Sequence, residues 1–211
     1  MNIYLLGDKS VPPALNLPML EIQYLSPSID LELYDALIFT SKNGIFGIDN
    51  ITSLWKEKNS YAIALQTAKI IDECNGKLAF IGEKGHGDAF AKELIPHLKN
   101  KKALYIRGKE VVSNLVTILK ENDIVCDELI VYETICKKYE NKQSLPKDSI
   151  IIFSSPSTIK CFLENYSWDE NFRAIAIGNT TAKYFPPHIK PIISDFTSLE
   201  SCVKKAIEVL S

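Results

Sequence analysis

The chain has 211 residues, 46% of them hydrophobic and 24% charged, and a formal net charge of -2. That is room for one large domain or two small ones, with enough apolar mass to form a core without staples. So small a net charge excludes a global field that would recruit nucleic acid or an anionic membrane, and any anion site must be local.

The N-terminal stretch MNIYLLGDK has no basic region and no long apolar run, and nothing in the sequence nears the ~18 apolar residues of a spanning helix. The expectation is a cytoplasmic protein. Asn2–Leu6 reads as the first strand, and Met19–Leu25 alternates as a paired strand does. Ala36–Phe39 is apolar throughout and stops at Thr40 and Ser41. Further buried strands are predicted at Ala62–Leu65, Leu78–Ile81, Ala103–Ile106, Ser149–Phe153, Ala174–Ile177 and Pro191–Ile193, with a second alternating strand at Glu128–Thr134. Residues 88–99 and 198–210 show helical i, i+3, i+4 apolar spacing, with caps expected at Asp88 and Ser198. Continuous apolar strands imply sheets covered on both faces. Strand alternating with helix implies parallel sheets with right-handed crossovers. The five cysteines, Cys74, Cys126, Cys136, Cys161 and Cys202, form no C-x-x-C pair and read as reduced, mostly buried thiols.

The sequence repeats. Displaced by 114 positions, IFTSKNGI (38–45) falls on IFSSPSTI (152–159), and AIALQTAK (62–69) falls on AIGNTTAK (176–183). Two matches at one displacement indicate two copies of one domain. A third, LYIRGKE (104–110) on IYLLGDK (3–9), comes in the wrong order, so one copy takes its strand from the N-terminus. The expected organisation is a discontinuous α/β domain of residues 1–18 and 137–211, an inserted α/β domain of 26–127, and bridging strands 19–25 and 128–136. A two-stranded bridge would serve as a hinge.

In such a fold ligands sit beyond the carboxyl ends of the strands. A helix starting there offers unpaired N–H groups and its positive dipole end, and hydroxyls in the turn add donors, so an anion can be held without lysine. This makes Thr40, Ser41, Ser154, Ser155, Ser157, Gly178, Thr180 and Thr181 candidate ligand groups; for any one hydroxyl the alternative is helix capping alone. Cations near these turns are few: Lys42, Lys69, Lys183, Lys109 and, directly at a strand end beside Gly108, Arg107, whose fork suits carboxylates. Tyr132 lies on the second alternating strand, where a phenol with a reference pKa of about 10 stays protonated and can donate. GEKGHGDAF (82–90) has G-x-x-G-x-G order rather than the dinucleotide order, and no phosphate-loop motif occurs. His86, His97 and His188 are scattered and lack metal spacing. There is no G-x-S-x-G elbow.

LIFTSKNGI, LYIRG, VYET, IIFSSPSTIKCF and AIAIGNTTA together resemble the uroporphyrinogen-III synthase family, over nearly the whole chain. The resemblance implies two similar α/β domains joined by a two-stranded ladder. It also implies an enzyme without metal or cofactor that closes hydroxymethylbilane, a linear tetrapyrrole with eight carboxylates, to uroporphyrinogen III, inverting the fourth ring and releasing water. It makes Tyr132 the candidate general acid and places Thr181 and its counterpart Thr67 among the substrate-facing residues. Ala64 departs from the family's glycine, which the second copy keeps as Gly178, and Asn179 stands where proline is common. A monomer with no nucleic-acid or membrane partner, in transient contact with hydroxymethylbilane synthase, is the implied setting. The rivals are a non-enzymatic two-domain binder of a small polyanion and a nucleotide-dependent transferase, the latter disfavoured by the missing phosphate loop.

Overall fold

A computed structural model describes residues 2–210. It divides the chain into two compact units: a discontinuous one, Met1–Glu21 with Ile135–Ser211, and an inserted one, Ile22–Thr134. In the inserted unit β4 (Ala36–Phe39), β5 (Asn59–Ala62), β6 (Leu78–Ile81), β7 (Ala103–Gly108) and β8 (Cys126–Cys136) line up as β6-β5-β4-β7-β8. Every one of these neighbours pairs in parallel. The discontinuous unit repeats the order with β1 (Ile3–Leu5), β2 (Leu15–Asn16), β9 (Ile150–Phe153), β10 (Arg173–Ala176) and β11 (Ile192–Ile193), arranged β11-β10-β9-β1-β2 and again all parallel. β3 (Leu20–Tyr24) adds to the outer side of β8. Leu25 N donates to Val131 O and Lys137 N to Met19 O, both at 2.9 Å, so residue numbers rise on one strand as they fall on the other. Both crossings from unit to unit lie on these two strands.

The repeat is thus visible in three dimensions. β4 and β9, like β5 and β10, occupy segments 114 positions apart, residue for residue. After them the second copy is two residues shorter, and α3 (Gly87–Leu98) corresponds to α7 (Leu199–Leu210), 112 positions on. α1 (Lys42–Asp49) and α2 (Leu65–Glu73) of the inserted unit have counterparts in α5 (Pro156–Asn165) and the single turn α6 (Asn179–Ala182). α4 (Leu115–Lys120) joins β7 to β8.

Strand alternation sorts each core into two layers. In the inserted unit Leu37, Phe39, Leu104 and Ile106 pack with Ile45, Ile48, Trp55 and Ile71 on one face. Ala36, Ile38 and Tyr105 pack with Phe90, Leu94, Leu98, Leu115 and Leu119 on the other. In the discontinuous unit Tyr4, Ile151 and Phe153 meet Ile159 and Phe162, while Ile3, Leu5, Ile150 and Ile152 meet Cys202, Val203 and Ala206. Each fully buried Val, Leu, Ile or Phe among them contributes about 1.5–3 kcal/mol of transfer free energy, so helices on both faces are required.

Several expectations are corrected. β5 ends at Ala62 rather than Leu65 and begins earlier, because Ser60 can be fully buried while its N–H donates to Lys77 O at 2.8 Å. The match of LYIRG on IYLLG is one residue out of register. β4 pairs Ala36 with Ala103 and β9 pairs Ile150 with Ile3, so Tyr4 corresponds to Leu104, and the two tyrosines face opposite sides of their sheets. A one-residue slip on a strand always has that effect. Asp88 does not cap α3. His86 holds that position, and the Asp88 carboxylate instead accepts from the backbone N–H of Asn114 at 2.7 Å, ahead of α4. Cys136 and Cys161 are not free thiols but a disulfide, with Cα atoms 5.0 Å apart. Cys136 ends β8 and Cys161 lies on the buried face of α5; apolar pattern alone hides that proximity. Cys126 and Cys202 are buried thiols, and Cys74 is half-buried. Among the described residues no helix is long and apolar enough to cross a membrane.

Candidate functional site

In the inserted unit the chain runs β4, β5, β6 outward on one side, then returns to lay β7 and β8 on the other. The order reverses between β4 and β7, and such a switch point opens a crevice at the carboxyl ends of its strands. Thr40 and Ser41 leave β4 there. Ser41 caps α1, its hydroxyl accepting from Asn43 N at 3.2 Å. The Thr40 hydroxyl shares a 2.8 Å hydrogen bond with the phenol of Tyr105, and the Ser113 hydroxyl is near enough to lower that phenol's pKa. α1 sits close over β7, since a Cβ on Gly44 would lie 3.0 Å from the Ile106 carbonyl oxygen.

Gly108 ends β7 at a bulge opposite Tyr132. A Cβ on Gly108 would stand 2.7 Å from both Cε2 and Cζ of Tyr132 and 3.0 Å from its hydroxyl. The missing side chain is what lets the Tyr132 ring lie across the strand end. Burial pushes the Tyr105 phenol above its ordinary pKa, against the lowering effect of its hydrogen bond to Thr40, with Tyr132 adding a smaller upward push. Burial and then Tyr132 raise Tyr24 on β3 in the same way. Both neighbouring phenols therefore stay neutral hydrogen-bond donors at neutral pH.

The two cations at this end are already engaged. Arg107 donates from Nε to Glu128 at 2.6 Å and from a terminal nitrogen to the carbonyls of Gly108 and Lys109 at 2.8 and 3.0 Å. Lys109 pairs with Glu133 at 2.8 Å, which raises its pKa. They brace the β7–β8 end more than they offer charge to a ligand. Thr67 lies in the first turn of α2, 7% exposed, and the cap residue Ala64 supplies no side-chain bond.

In the discontinuous unit the switch point falls between β9 and β1. Ser155 caps α5 through a reciprocal box, its hydroxyl accepting from Thr158 N and its own N–H donating to the Thr158 hydroxyl, both at 3.3 Å. Pro156 opens the helix without a donor to satisfy. Ser154 is half-exposed beside the box, and Ser157 is exposed on the first turn. Gly178 precedes α6 in extended backbone, as Ala64 precedes α2, so backbone freedom is not what Gly178 supplies. Space is: a Cβ there would be 3.1 Å from Thr197 Cγ2. Thr180 is exposed and Thr181 is 4% exposed. Among the described residues no hydrogen bond within the chain holds the side chain of Thr67 or of Thr181, although both are buried.

The structure thus gathers Thr40, Ser41, Arg107, Gly108, Lys109 and Tyr132 at one strand-end rim, with Thr67 on the same unit, and Ser154, Ser155, Ser157, Gly178, Thr180 and Thr181 on the other unit. Sequence reasoning missed Tyr105, Ser113 and Tyr24. Two-residue alternation along ALYIRG was the available signal for Tyr105. No group of three or more His, Cys, Asp or Glu among the described residues is placed to hold a metal.

The family model described as uroporphyrinogen-III synthase HemD matches residues 13–203. A uroporphyrinogen-III synthetase from Helicobacter pylori is similar in structure, at 32% identity and a TM-score of 0.74, over 99% of each chain. A mutant uroporphyrinogen III synthase from the extremely thermophilic bacterium Thermus thermophilus is similar at 12% identity and a TM-score of 0.47, covering 99% of this chain and 98% of that one. No curated protein sequence matches at a significant level.

Proposed function

The chain belongs to the uroporphyrinogen-III synthase family, and from that premise we propose how its two strand-end rims carry out the reaction. The enzyme is a lyase that closes hydroxymethylbilane to uroporphyrinogen III. The bilane's eight carboxylates need many donors and little net charge. Helix N-termini and hydroxyls supply these: Thr40, Ser41 and Thr67 on the inserted unit, and Ser154, Ser155, Ser157, Gly178, Thr180 and Thr181 on the discontinuous one. Ser41 and Ser155 act through the turns they cap, and Thr67 and Thr181 offer hydroxyls that no protein group engages.

Tyr132 donates a proton to the departing hydroxyl of the bilane. The C–O bond breaks, water leaves, and an azafulvene cation remains on the first ring. That carbon is attacked by the substituted end of the fourth ring, a spiro intermediate rearranges to the inverted macrocycle, and the proton the fourth ring then loses restores the Tyr132 phenol. The protein's main contribution is to hold a conformation that direct closure cannot use; general-acid help is secondary because the chain ionises readily by itself. The observation that carries this reading is the Tyr132 ring seated across Gly108, which puts a phenol at the switch point among the Thr40, Tyr105 and Ser113 hydroxyls. The same reading makes the enzyme a cytoplasmic monomer that receives its unstable substrate from hydroxymethylbilane synthase, by transient contact.

The test is an assay with freshly generated hydroxymethylbilane, separating the product isomers. The type III isomer is expected; the type I isomer alone defeats the proposal and leaves a non-catalytic polyanion binder as the better reading.

A further inference from the structure

Phe196 is 75% exposed, whereas the other eight phenylalanines are buried or half-buried. A single exposed apolar side chain is ordinary; a rigidly held one is not. The backbone N–H of Phe196 donates to the Ser201 hydroxyl at 3.1 Å, and its carbonyl accepts from the Ser194 hydroxyl at 3.0 Å. Those two serines bond each other at 2.8 Å. Asp195 is held by Lys205 of α7 at 3.1 Å, and Ser198 caps α7 by accepting from Ser201 N at 3.1 Å. Both polar backbone groups of Phe196 are therefore fixed while its ring stands in water. The next residue, Thr197, packs at the Gly178 cap, so Phe196 lies one residue from a contact with the turn that carries Thr180 and Thr181.

We propose that Phe196 is a substrate-positioning residue whose ring stacks on a pyrrole of the tetrapyrrole while the adjacent Gly178–Thr181 turn holds that pyrrole's carboxylate arms. This rests on the functional reading above and adds the recognition of the rings to that of the acids. A pyrrole of the bilane is a flat, electron-rich ring bearing acidic arms, and anion sites alone leave its faces unrecognised. An aromatic partner offers offset or edge-on contact, and a pinned backbone means little ordering cost on binding. The corresponding turn of the inserted unit puts Lys84 at this position, exposed and without an ion pair among the described residues, so the stacking residue belongs to one rim only.

The experiment compares wild type, Phe196→Ala and Phe196→Tyr with freshly generated hydroxymethylbilane, recording KM, kcat, isomer ratio and thermal melting. The alanine variant is expected to raise KM about five- to tenfold with kcat changed less, and to melt as wild type does. The tyrosine variant, which keeps the ring, stays within twofold. Alanine kinetics within twofold of wild type, or equal impairment of both variants, overturns the proposal. A wild-type enzyme yielding only the type I isomer would instead overturn the functional reading itself.

Discussion

The two units are built on the same strand order and differ where that order opens. Beyond the inserted sheet lie phenols and an open glycine: Gly108 makes room for Tyr132, and Tyr105 bonds Thr40. Near the end of the discontinuous sheet's β1, Gly7, which the pairing register matches to Arg107 rather than to Gly108, has no heavy atom within 4 Å of where its Cβ would be. There the chemistry is aliphatic hydroxyls, a reciprocal capping box and an exposed phenylalanine. Even the threonine turns differ, since Leu65 stands 60% exposed beside Thr67 whereas Asn179 precedes Thr180 and Thr181. Both copies end their strands in hydroxyl-bearing turns, and only the inserted one has a phenol seated over a strand-end glycine. What the copies share is layer packing; what they do not share is concentrated at the strand ends, where the core no longer dictates the side chains.

The largest way to separate the copies is through the Cys136–Cys161 bond, which lies wholly in the discontinuous unit. A cross-link across a separation of 25 residues contributes about 3 kcal/mol to the unit that contains it. Dithiothreitol should therefore advance the melting of the discontinuous unit and leave the transition of the inserted unit in place, with five titratable thiols after reduction in denaturant against three before. Five thiols without reductant would mean the pair does not form.

Next in size is the contrast between the two glycines. With Tyr132 as the proposed proton donor, Gly108→Ala should cost about tenfold to a hundredfold in kcat, as Tyr132→Phe should, because the group it displaces is the far end of the Tyr132 ring. Its stability should change little, since that ring can swing aside. Gly7→Ala should leave both rate and melting point unchanged. Equal loss from both glycine variants would show a backbone requirement instead of a seat for the phenol. Smaller again, Thr181→Val and Thr67→Val should each raise KM about threefold to tenfold without lowering the melting temperature, because each removes a hydroxyl that no protein group uses. A fall in melting temperature without a change in KM would assign these hydroxyls to the fold.

Much of this was legible in the chain itself, and the failures have physical causes. Continuous apolar runs such as IIIF read as doubly covered strands, so β4 is read to the residue and β9 to within one residue at its start. β2, with two residues and a polar Asn16 that donates to the Gly7 and Lys9 carbonyls, carries no periodic signal. Ser60 hid the start of β5 because a buried serine looks like a turn until its partners are known. The Cys136–Cys161 pairing and the Asp88 to Asn114 bond depend on chain paths that no local pattern records. At the rims the difficulty is chemical: the hydroxyl that caps a helix and the hydroxyl that binds an anion are the same group in the same place. Only the hydrogen-bond partners tell Ser155, which is engaged, from Thr181, which is not.

That distinction makes the smallest expected effect informative. Ser155 takes part in two reciprocal bonds, whereas Ser41 accepts one. Removing a capping hydroxyl costs about 1 kcal/mol on average, less for a single weak bond. Ser155→Ala takes the side-chain acceptor from the Thr158 N–H and so opens the reciprocal box, while the Thr158 hydroxyl keeps its bonds to the Ser155 backbone; it should cost more than Ser41→Ala, which breaks no box. For a chain of this length 1 kcal/mol moves a melting point by about 2–4 °C, which differential scanning calorimetry resolves. If both serines serve only their helices, the two variants should differ in melting temperature and keep the wild-type KM. If the caps also present the turns to carboxylates, KM should rise with each, and the larger rise should follow Ser155, whose helix start is the more tightly built of the two.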